Sequence, residues 1–448
     1  MSNGNNRTGE RRRVVITGLG VISALGMEPS ELWSACQSGR SGVRAVDSSE
    51  SIRALPFAAP VDAFTGKIED FGTLSDTIKK VIRKGIKLMS REIQMAVAAA
   101  QRTLAHSGAG SDAFCSERVG VSFASDYIIT TPDEILEAVR HCIRDGSFDF
   151  SQWRNEGLAR MTPLWQLKFL PNMPASHICI YNQFRGHCNA MTNREASIGA
   201  VLAESLEVIA SGRADVMLTG ATGSRLLPFK LIHAIQMNDL ASPDRVPEEA
   251  SRPFDQDRSG MVLGEGAGAV LLEELDHAKL RGAKIYGEVT GAAHCMVAQP
   301  KSGSILPQGR VREALAKAIT RLLERTGVRP EEIGFIDSCG LSSPALDIEE
   351  ALAIRDALGD QADRLPVTGL KGHLGNPGAG SGAIELVAAL CALENNALYP
   401  ILNNEKDDPN CPIRPVREFG IPSGNQFLKL AFNHFGQASA ILMRRYEG

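Results

Sequence analysis

Short apolar runs that alternate with helix-period stretches constrain the fold of this chain more than any other feature. The first strand-like run spans Val14 to Thr17 and is rich in β-branched residues. Similar runs recur in ERVGVSFAS, ADVMLTGAT, AGAVLLEEL, GFIDSCG and FLKLAFNHFG. Helix-period stretches lie between several of them, at residues 93–105, 196–211, 311–326 and 382–395. This alternation predicts an α/β protein with mainly parallel sheets.

A second series of strands and helices begins near Lys284, so the chain of 448 residues plausibly holds two related halves. Residues 1–11 are polar and basic and are read as a flexible N-terminal tail. We place the first half at residues 12–275 and the second half at residues 276–448.

Composition excludes several classes of function. The net charge of −4 gives no basic field, so neither nucleic acid nor a membrane surface is an expected partner. The nine cysteines form no CxxC pair, which favours reduced cytosolic thiols over disulfides or a metal site. No apolar run approaches the roughly 18 residues of a membrane span, so we expect a cytoplasmic protein.

The glycine-rich run MVLGEGAGAV does not open a helix after a strand in the manner of a dinucleotide-binding fingerprint. Its glycines indicate close backbone packing near a pocket instead. We expect no cofactor.

Three long stretches resemble the β-ketoacyl-ACP synthases of the elongating type, which belong to the thiolase-like superfamily. They are VVITGLGVISALGMEPSELWSACQSGRSGV, IASGRADVMLTGA and SRPFDQDRSGMVLGEGAGAVLLEE, and the similarity extends over roughly residues 12–446. The resemblance implies a thiolase-like α/β fold, with two similar βαβαβαββ halves in five layers, α-β-α-β-α. It also implies an acyl carrier protein as partner, and either a homodimer or a heterodimer with a ketosynthase that carries the cysteine.

Family members present a cysteine nucleophile at a helix N-terminus, with two histidines that promote decarboxylation of a malonyl group. The helix N-terminus lowers the pKa of the thiol, and hydrogen-bond donors stabilise the enolate oxygen. Counting from IASGRADVM and from Gly186 places Glu195 at the cysteine position. The segment DSCGLSSP places Cys339 at the first histidine, and KGHLGNPGAGSG keeps Lys371 and places Asn376 at the second.

Two further groups are assigned to substrate binding through the resemblance. His373 lies three residues before Asn376, so a local shift could return a histidine to the site. The acyl-gating loop of the family corresponds to NHFGQAS and is shortened by several residues, with Phe435 and Gly436 as its candidate substrate contacts.

Glu195 has two compatible interpretations. Thr192 and Glu195 have the T-x-x-E spacing of a capping box, in which the side chains satisfy exposed helix amides. Alternatively, Glu195 stands at the catalytic position, where it mimics a bound carboxylate or blocks acyl loading.

The other candidates also have structural alternatives. Cys339 is either a small buried apolar residue or an acyl acceptor on the opposite wall of the pocket. Asn376 is a turn residue before Pro377 or an amide donor to a thioester oxygen. Lys371 is a structural cation or orients the carboxylate of Glu195. His373 is a polar loop residue or a base.

The stretch RPFDQDRSG holds two arginines and two aspartates, and this mixture favours a salt-bridged loop over acid–base chemistry. The sequence as a whole favours a ketosynthase-like protein of fatty-acid or polyketide-type biosynthesis that lacks Cys-His-His chemistry. Such a protein would be a chain-length-factor-like partner or a malonyl-ACP decarboxylase. The alternatives are a condensing enzyme with an unusual nucleophile, Cys339 or Cys188, and a non-catalytic acyl-ACP-binding scaffold.

Overall fold

The computed structural model describes residues 11–46, 55–109, 113–237, 239–298 and 309–448. The helices are α1 Pro29–Gln37, α2 Asp76–Gly85, α3 Arg91–His106, α4 Pro132–His141, α5 Met173–Asn182, α6 Ser197–Ala210, α7 Pro228–Met237, α8 Leu275–Leu280, α9 Arg310–Thr326, α10 Leu346–Leu358, α11 Lys371–Leu374 and α12 Ala379–Asn395. The strands are β1 Val14–Ile22, β2 Arg44–Ala45, β3 Phe57–Ala58, β4 Val119–Ser125, β5 Ile143–Arg144, β6 Ser147–Phe148, β7 Cys188–Met191, β8 Val216–Ser224, β9 Glu265–Glu274, β10 Gly287–Met296, β11 Phe335–Asp337, β12 Pro366–Thr368, β13 Arg414–Pro415, β14 Gln426–Phe432 and β15 Gln437–Arg444. The predicted tail lies outside the described residues except for Arg11, which forms an exposed ion pair with Glu207.

The strand order shows that the two halves have the same topology. Five strands of the first half lie in the order β7-β4-β8-β9-β1, and five of the second half in the order β12-β11-β14-β15-β10. With short connecting elements set aside, each half runs βαβαβαββ along the chain. A short antiparallel pairing of β1 with β10 joins the two sets of strands.

Helices separate and cover the two half-sheets in five layers. Helices α3 and α5 pack on one face of the first half-sheet, and α9 packs with α10 on the outer face of the second. Helices α6 and α12 lie between the half-sheets and contact strands of both. The largest apolar core surrounds these two central helices and includes Ile198, Val201, Ile384, Val387 and Phe427. The fold is therefore the predicted α-β-α-β-α arrangement.

The prediction of mainly parallel sheets is wrong, because the sheet is mixed. β4 is parallel to β7 and β8, and β11 is parallel to β12 and β14. β9 is antiparallel to β1 and β8, and β15 is antiparallel to β10 and β14. A strand buried on both faces is a continuous apolar run in either orientation, so the run alone does not reveal its direction.

Glycines allow the central helix α12 to lie directly on β9. A Cβ atom at Gly268 would be 2.5 Å from the carbonyl carbon of Ala383, and one at Gly380 would be 2.2 Å from the carbonyl oxygen of Gly266. Any side chain at these positions would force the helix away from the sheet. The predicted role of the glycine-rich run in close packing is confirmed. Across the described ranges, no helix has the length and apolar character to cross a membrane.

Candidate functional site

Glu195 stands where the chain passes from β7 into α6. The strand ends at Met191, and a single 3₁₀ turn at Arg194–Ala196 leads directly into the helix at Ser197. The predicted capping box is wrong: the turn begins at Asn193, Thr192 is exposed, and no side chain caps the helix. Instead, the backbone N–H of Asn193 donates to Ser197 Oγ at 3.1 Å.

The carboxylate of Glu195 is engaged by side chains from both halves. Arg225 Nη2 donates to Glu195 Oε1 at 2.5 Å, and Asn376 Nδ2 donates to the same oxygen at 2.9 Å. All three side chains are nearly inaccessible to solvent. Since Arg225 directly follows β8 and Asn376 precedes α12, the ends of three elements meet at one carboxylate.

This environment keeps Glu195 ionised. Burial would raise the pKa of its carboxyl group, but the positive charges of Arg225 and Arg194 and the hydrogen bond from Asn376 lower it to about 2. On its other side, Arg225 lies 3.6 Å from Asp126 Oδ2. The attraction of the two carboxylates outweighs burial and raises the pKa of Arg225. The core of the site is therefore a buried ionised cluster of one cation and two anions.

Asn376 is a turn residue, as one of its two interpretations expects, and its side-chain amide donates to Glu195. Its Oδ1 accepts a hydrogen bond from the backbone N–H of Gly378 at 3.0 Å, which fixes the turn before α12. Its backbone N–H donates to the carbonyl of Val262 at 2.8 Å. With its oxygen and backbone fixed in this way, the amide N–H group is directed to Glu195.

Cys339 does not have the properties of a nucleophile. The residue follows β11 and is fully buried, and burial raises the pKa of its thiol to about 12 although Lys371 opposes the effect. Its backbone N–H donates to Glu350 Oε1 at 2.7 Å. At neutral pH the group is a protonated thiol in the core, in agreement with the structural interpretation.

Lys371 is a structural cation and does not orient Glu195. Its Nζ donates to the carbonyl of Cys339 at 2.6 Å and to Glu385 Oε1 at 2.5 Å. Glu385 also accepts from Lys429 Nζ at 2.6 Å, and Lys429 lies 3.1 Å from Asp337. Two lysines and two carboxyl groups thus form a buried network beside the site, in which burial raises the pKa of Asp337 to about 7 although Lys429 opposes the effect.

The expectation that His373 could return to the site is wrong. The residue lies in α11 and is fully buried, with Nδ1 3.0 Å from the carbonyl oxygen of Arg40 and Nε2 3.1 Å from that of Pro400. Both ring nitrogens are therefore occupied by backbone carbonyls away from Glu195. The backbone fixes Asn376, not His373, as the residue that reaches the pocket.

The segment assigned to acyl gating is a tight hairpin turn. Only Asn433–Gly436 connect β14 to β15, and the backbone N–H of Gly436 donates to the carbonyl of Asn433. Gly436 has a φ of 83°, and a Cβ atom there would lie 2.7 Å from the carbonyl oxygen of Val297. The side-chain amide of Asn433 donates to the carbonyl of Asn193 at 3.0 Å, which ties the turn to the start of α6. A turn this short and anchored cannot swing as a long flap.

Several residues of the site were not identified from sequence. Besides Arg225 and Asp126, these are Arg194, Tyr127 and His434, which surround the approach to Glu195. A buried carboxylate requires a cation nearby, so Glu195 itself signals that such a partner exists. The sequence does not indicate which of 48 lysines and arginines provides it.

The loop RPFDQDRSG is salt-bridged, as its composition predicted. Arg252 pairs with Asp255 at 3.2 Å, and Arg258 pairs with Asp408 at 2.7 Å. No group of histidine, cysteine, aspartate and glutamate side chains suited to a metal ion occurs in the ranges that the structure describes. All nine cysteines are free.

Comparisons with known proteins agree with this architecture. Residues 11–278 match the sequence model of the β-ketoacyl synthase N-terminal domain, and residues 286–405 match that of the C-terminal domain. The chain is 30% identical over 406 residues to a 3-oxoacyl-[acyl-carrier-protein] synthase 2 of Synechocystis, and the match covers 90% of this chain and 91% of that protein.

Two solved structures share the fold. A β-ketoacyl synthase from Burkholderia phymatum superposes with a TM-score of 0.82 at 26% identity, covering 97% of this chain and 100% of the other. The ishigamide ketosynthase/chain length factor superposes with a TM-score of 0.81 at 23% identity, covering 98% and 100%. The five-layer fold is thus the thiolase-like ketosynthase fold. With both domain models matched in order along one chain, this protein belongs to the β-ketoacyl synthase family.

Proposed function

We propose that this chain does not condense acyl groups by itself and is a chain-length-factor-like partner of a ketosynthase that carries the cysteine. The observation that carries this proposal is the buried ion pair between Glu195 and Arg225 at the start of α6. In the family's chemistry this position must accept an acyl group from a thioester. A carboxylate with a pKa near 2 is a weak nucleophile and is already bound to a cation.

The contacts around Glu195 also leave its Oε1 atom little freedom to move. Besides Arg225 and Asn376, the sulfur of Met261 lies against the same group of atoms, 3.7 Å from Arg225 Nη1 and 3.4 Å from Asn376 Nδ2. The other oxygen, Oε2, has no hydrogen-bond partner among the described residues, but it is buried, so an incoming acyl group would have to enter a site closed to solvent to reach it. Blocked acyl loading is the expected result.

A substitute nucleophile has little support. Cys339 is buried and protonated, as described above. Cys188 has an exposed thiol whose pKa is lowered to about 7 by a hydrogen bond from Cys179, against the effect of burial. However, it lies at the beginning of β7, roughly 10 Å along the strand from Met191, at about 3.3 Å per residue. The lowered pKa of Cys188 therefore does not make it a nucleophile for the site at Glu195, which lies beyond the other end of β7.

The surface near β7 is suited to a partner chain. β7 is the terminal strand of the sheet, and it pairs with β4 alone in the described structure. The segment that precedes it exposes an unusual number of large apolar side chains, namely Leu136, Ile143, Phe148, Phe150, Leu158, Leu164, Leu170 and Ile180. Phe150 is 77% exposed and Leu164 is 64% exposed. An open strand edge beside exposed apolar groups is typical of an interface between subunits.

The ishigamide ketosynthase/chain length factor provides a precedent for such a pair on this fold. We extend that arrangement to this chain, with an acyl carrier protein as the source of the acyl groups. The pathway would be of the fatty-acid or polyketide type.

A second candidate function is decarboxylation of malonyl-ACP. In that reaction the bond to the carboxylate carbon breaks, CO₂ leaves, and the thioester enolate takes a proton to become acetyl-ACP. The enolate oxygen needs hydrogen-bond donors, and the side-chain amide of Asn376 is one donor in the pocket. No covalent acyl-enzyme is required, so the absence of a thiol at position 195 is compatible with this chemistry.

The test combines assembly and chemistry. The purified chain is mixed with a cysteine-bearing ketosynthase from the same organism, and native mass spectrometry determines the oligomer. In parallel, the chain is incubated alone with malonyl-ACP and acyl-ACP, and the ACP masses are recorded.

We expect a heterodimer and no β-ketoacyl-ACP from the chain alone. Acetyl-ACP without condensation would favour the decarboxylase. β-Ketoacyl-ACP formed by the chain alone would contradict the proposal. Binding of ACP with neither a heterodimer nor turnover would favour a scaffold.

A further inference from the structure

Arg194, the residue before Glu195, has a strained backbone. Its φ is 51°, in the left-handed region that residues with a Cβ atom seldom adopt. This conformation is unfavourable in a residue other than glycine, because the Cβ atom approaches the backbone carbonyl oxygen. Such strain persists where the surroundings hold the residue in place, so the contacts of its side chain are informative.

The guanidinium of Arg194 lies between two aromatic rings. Its Cζ is 5.5 Å from the ring centroid of Tyr127 and 5.5 Å from that of Phe435. Tyr127 follows β4, and Phe435 lies in the β14–β15 turn, so the clamp joins the two halves of the chain. Two ring faces orient a planar cation while leaving its edge available for hydrogen bonds.

His434 holds one edge of this guanidinium. Arg194 Nη1 lies 3.5 Å from His434 Nδ1. Because a guanidinium can only donate, Nδ1 must accept, which requires a neutral imidazole. Burial, together with the cations Arg194, Arg225 and Arg310, lowers the pKa of His434 to about 4 against the opposing charge of Glu195. The imidazole is therefore uncharged at neutral pH and does not neutralise Arg194.

The charge of Arg194 is not matched by a carboxylate. Arg225 lies between Glu195 and Asp126, whereas Arg194 makes no ion pair within 4.0 Å among the described residues. Arg194 is partly exposed and Phe435 is 42% exposed, while Glu195 behind them is buried. A planar cation held between two rings thus stands at the partly exposed surface beside Glu195, without a carboxylate in direct contact among the described residues. This geometry fits a carboxylate, whose two oxygens match the donor fork of a guanidinium.

We propose that Arg194 recognises the free carboxylate of a malonyl-type acyl group and so selects dicarboxylic over monocarboxylic acyl thioesters. The inference rests on the second candidate function, decarboxylation of malonyl-ACP, in which the site binds a carrier-linked malonyl group without covalent acyl loading. Arg194 is a specificity residue in this proposal, and the aromatic clamp with His434 positions it.

The experiment compares two probes that differ only in that carboxylate, malonyl-pantetheine and acetyl-pantetheine. Isothermal titration calorimetry measures their affinities for the full-length chain, for Arg194→Ala and for Arg194→Lys. The matched control is Arg321→Ala, which removes an exposed arginine from α9. We expect Arg194→Ala to weaken malonyl-pantetheine about 10- to 100-fold, as for loss of a charged hydrogen bond, and to leave acetyl-pantetheine unchanged. Arg194→Lys should weaken the binding of malonyl-pantetheine less than Arg194→Ala does. Arg321→Ala should change neither affinity.

Equal losses for the two probes would show that Arg194 has only a structural role, and this would overturn the proposal. So would unchanged malonyl-pantetheine affinity in Arg194→Ala, or no binding of malonyl-pantetheine by the unmodified chain. Circular dichroism melting of each variant confirms that it is folded, and Arg194→Lys retains the charge if the alanine variant is unstable. Native mass spectrometry of the same variants with the partner ketosynthase reports separately on the proposed function.

Discussion

Arg225 Nη2 and Glu195 Oε1 are 2.5 Å apart in a part of the molecule from which water is excluded. The two residues are 30 positions apart and enter from different elements, a helix start and a strand end. Their contact places a pair of fixed opposite charges at the start of α6. The carboxylate of Glu195 is therefore already paired with a cation before any substrate binds.

Loss of this pair should be costly to stability. We expect Glu195→Gln to reduce the free energy of unfolding by about 3 kcal/mol, because it leaves the charge of Arg225 buried with only Asp126 nearby. Urea unfolding followed by circular dichroism measures the change. The control is Glu207→Gln on α6, which breaks an exposed ion pair. It should reduce the free energy of unfolding by less than about 1 kcal/mol. Equal effects of the two substitutions would show that the buried pair contributes no more to the free energy of unfolding than an exposed pair does.

A thiol placed at position 195 should accept acyl groups without restoring condensation. In Glu195→Cys, the helix start and Arg225 both favour the thiolate, so we expect an acyl adduct after incubation with acyl-ACP. In the alignment that we propose, Cys339 and Asn376 occupy the positions at which the family has histidines, so we expect no β-ketoacyl-ACP to form. Intact mass spectrometry of the protein and the ACP distinguishes the two steps. A condensation product from this single variant would contradict the prediction.

The free cysteines should differ sharply in reactivity. At pH 7.5 we expect iodoacetamide to modify Cys188 quickly, because its thiol is exposed and has a pKa of about 7. Cys339 should remain unmodified in the folded chain because its pKa is raised to about 12 and its side chain is buried. Time-resolved peptide mass spectrometry follows each site, with Cys188→Ser as the control. Rapid labelling of Cys339 would contradict this prediction and would favour Cys339 as a nucleophile.

Acid should weaken the fold in two separable pH ranges. His434 has a folded pKa of about 4, below its ordinary value of 6.5, so the unfolded chain binds more protons and stability falls from pH 6.5 to 4. Glu195 has a folded pKa of about 2, below 4.5, so its contribution is present above pH 4.5 and is lost between 4.5 and 2.

His434→Gln should therefore flatten the upper part of the stability curve, and Glu195→Gln the lower part. Unfolding free energies measured from pH 3 to 8 check both effects. If either variant keeps the slope of the unmodified chain in its own range, the corresponding assignment is wrong.

The apolar segment before β7 should matter for association and not for folding. Phe150→Asp places a charge on a side chain that is 77% exposed. We expect at least tenfold weaker binding to the partner ketosynthase with an unchanged melting temperature. Val246→Asp is the control, since Val246 is also exposed but lies outside this segment. Equal behaviour of the two variants in analytical ultracentrifugation would place the interface elsewhere.

The sequence predicts the positions of the main strands and helices because local apolar periodicity determines them. It does not predict that β9 and β15 run antiparallel to their neighbours, since strand direction depends on partners far along the chain. At the site, the motif counts bring Glu195 and Asn376 together, and the structure shows these side chains in contact.

The remaining features of the site depend on long-range contacts. Arg225 could not be chosen among many cations, because its role depends on the fold bringing the end of β8 to α6. His373 and Asn376 are only three residues apart, and the backbone path after α11 decides which one reaches the pocket. The left-handed conformation of Arg194 has no local signal, because arginine does not favour it.

The order in which the chain is made gives the Glu195–Arg225 pair another consequence. Both residues are present once the ribosome has added Arg225, whereas Asn376 follows 151 residues later. The first half can therefore neutralise its buried carboxylate during synthesis, without waiting for the second half. Asn376 then adds a hydrogen bond to a charge that is already balanced. An uncharged side chain at position 195 would impose no such early demand, so the carboxylate links the charge balance of the site to the timing of folding.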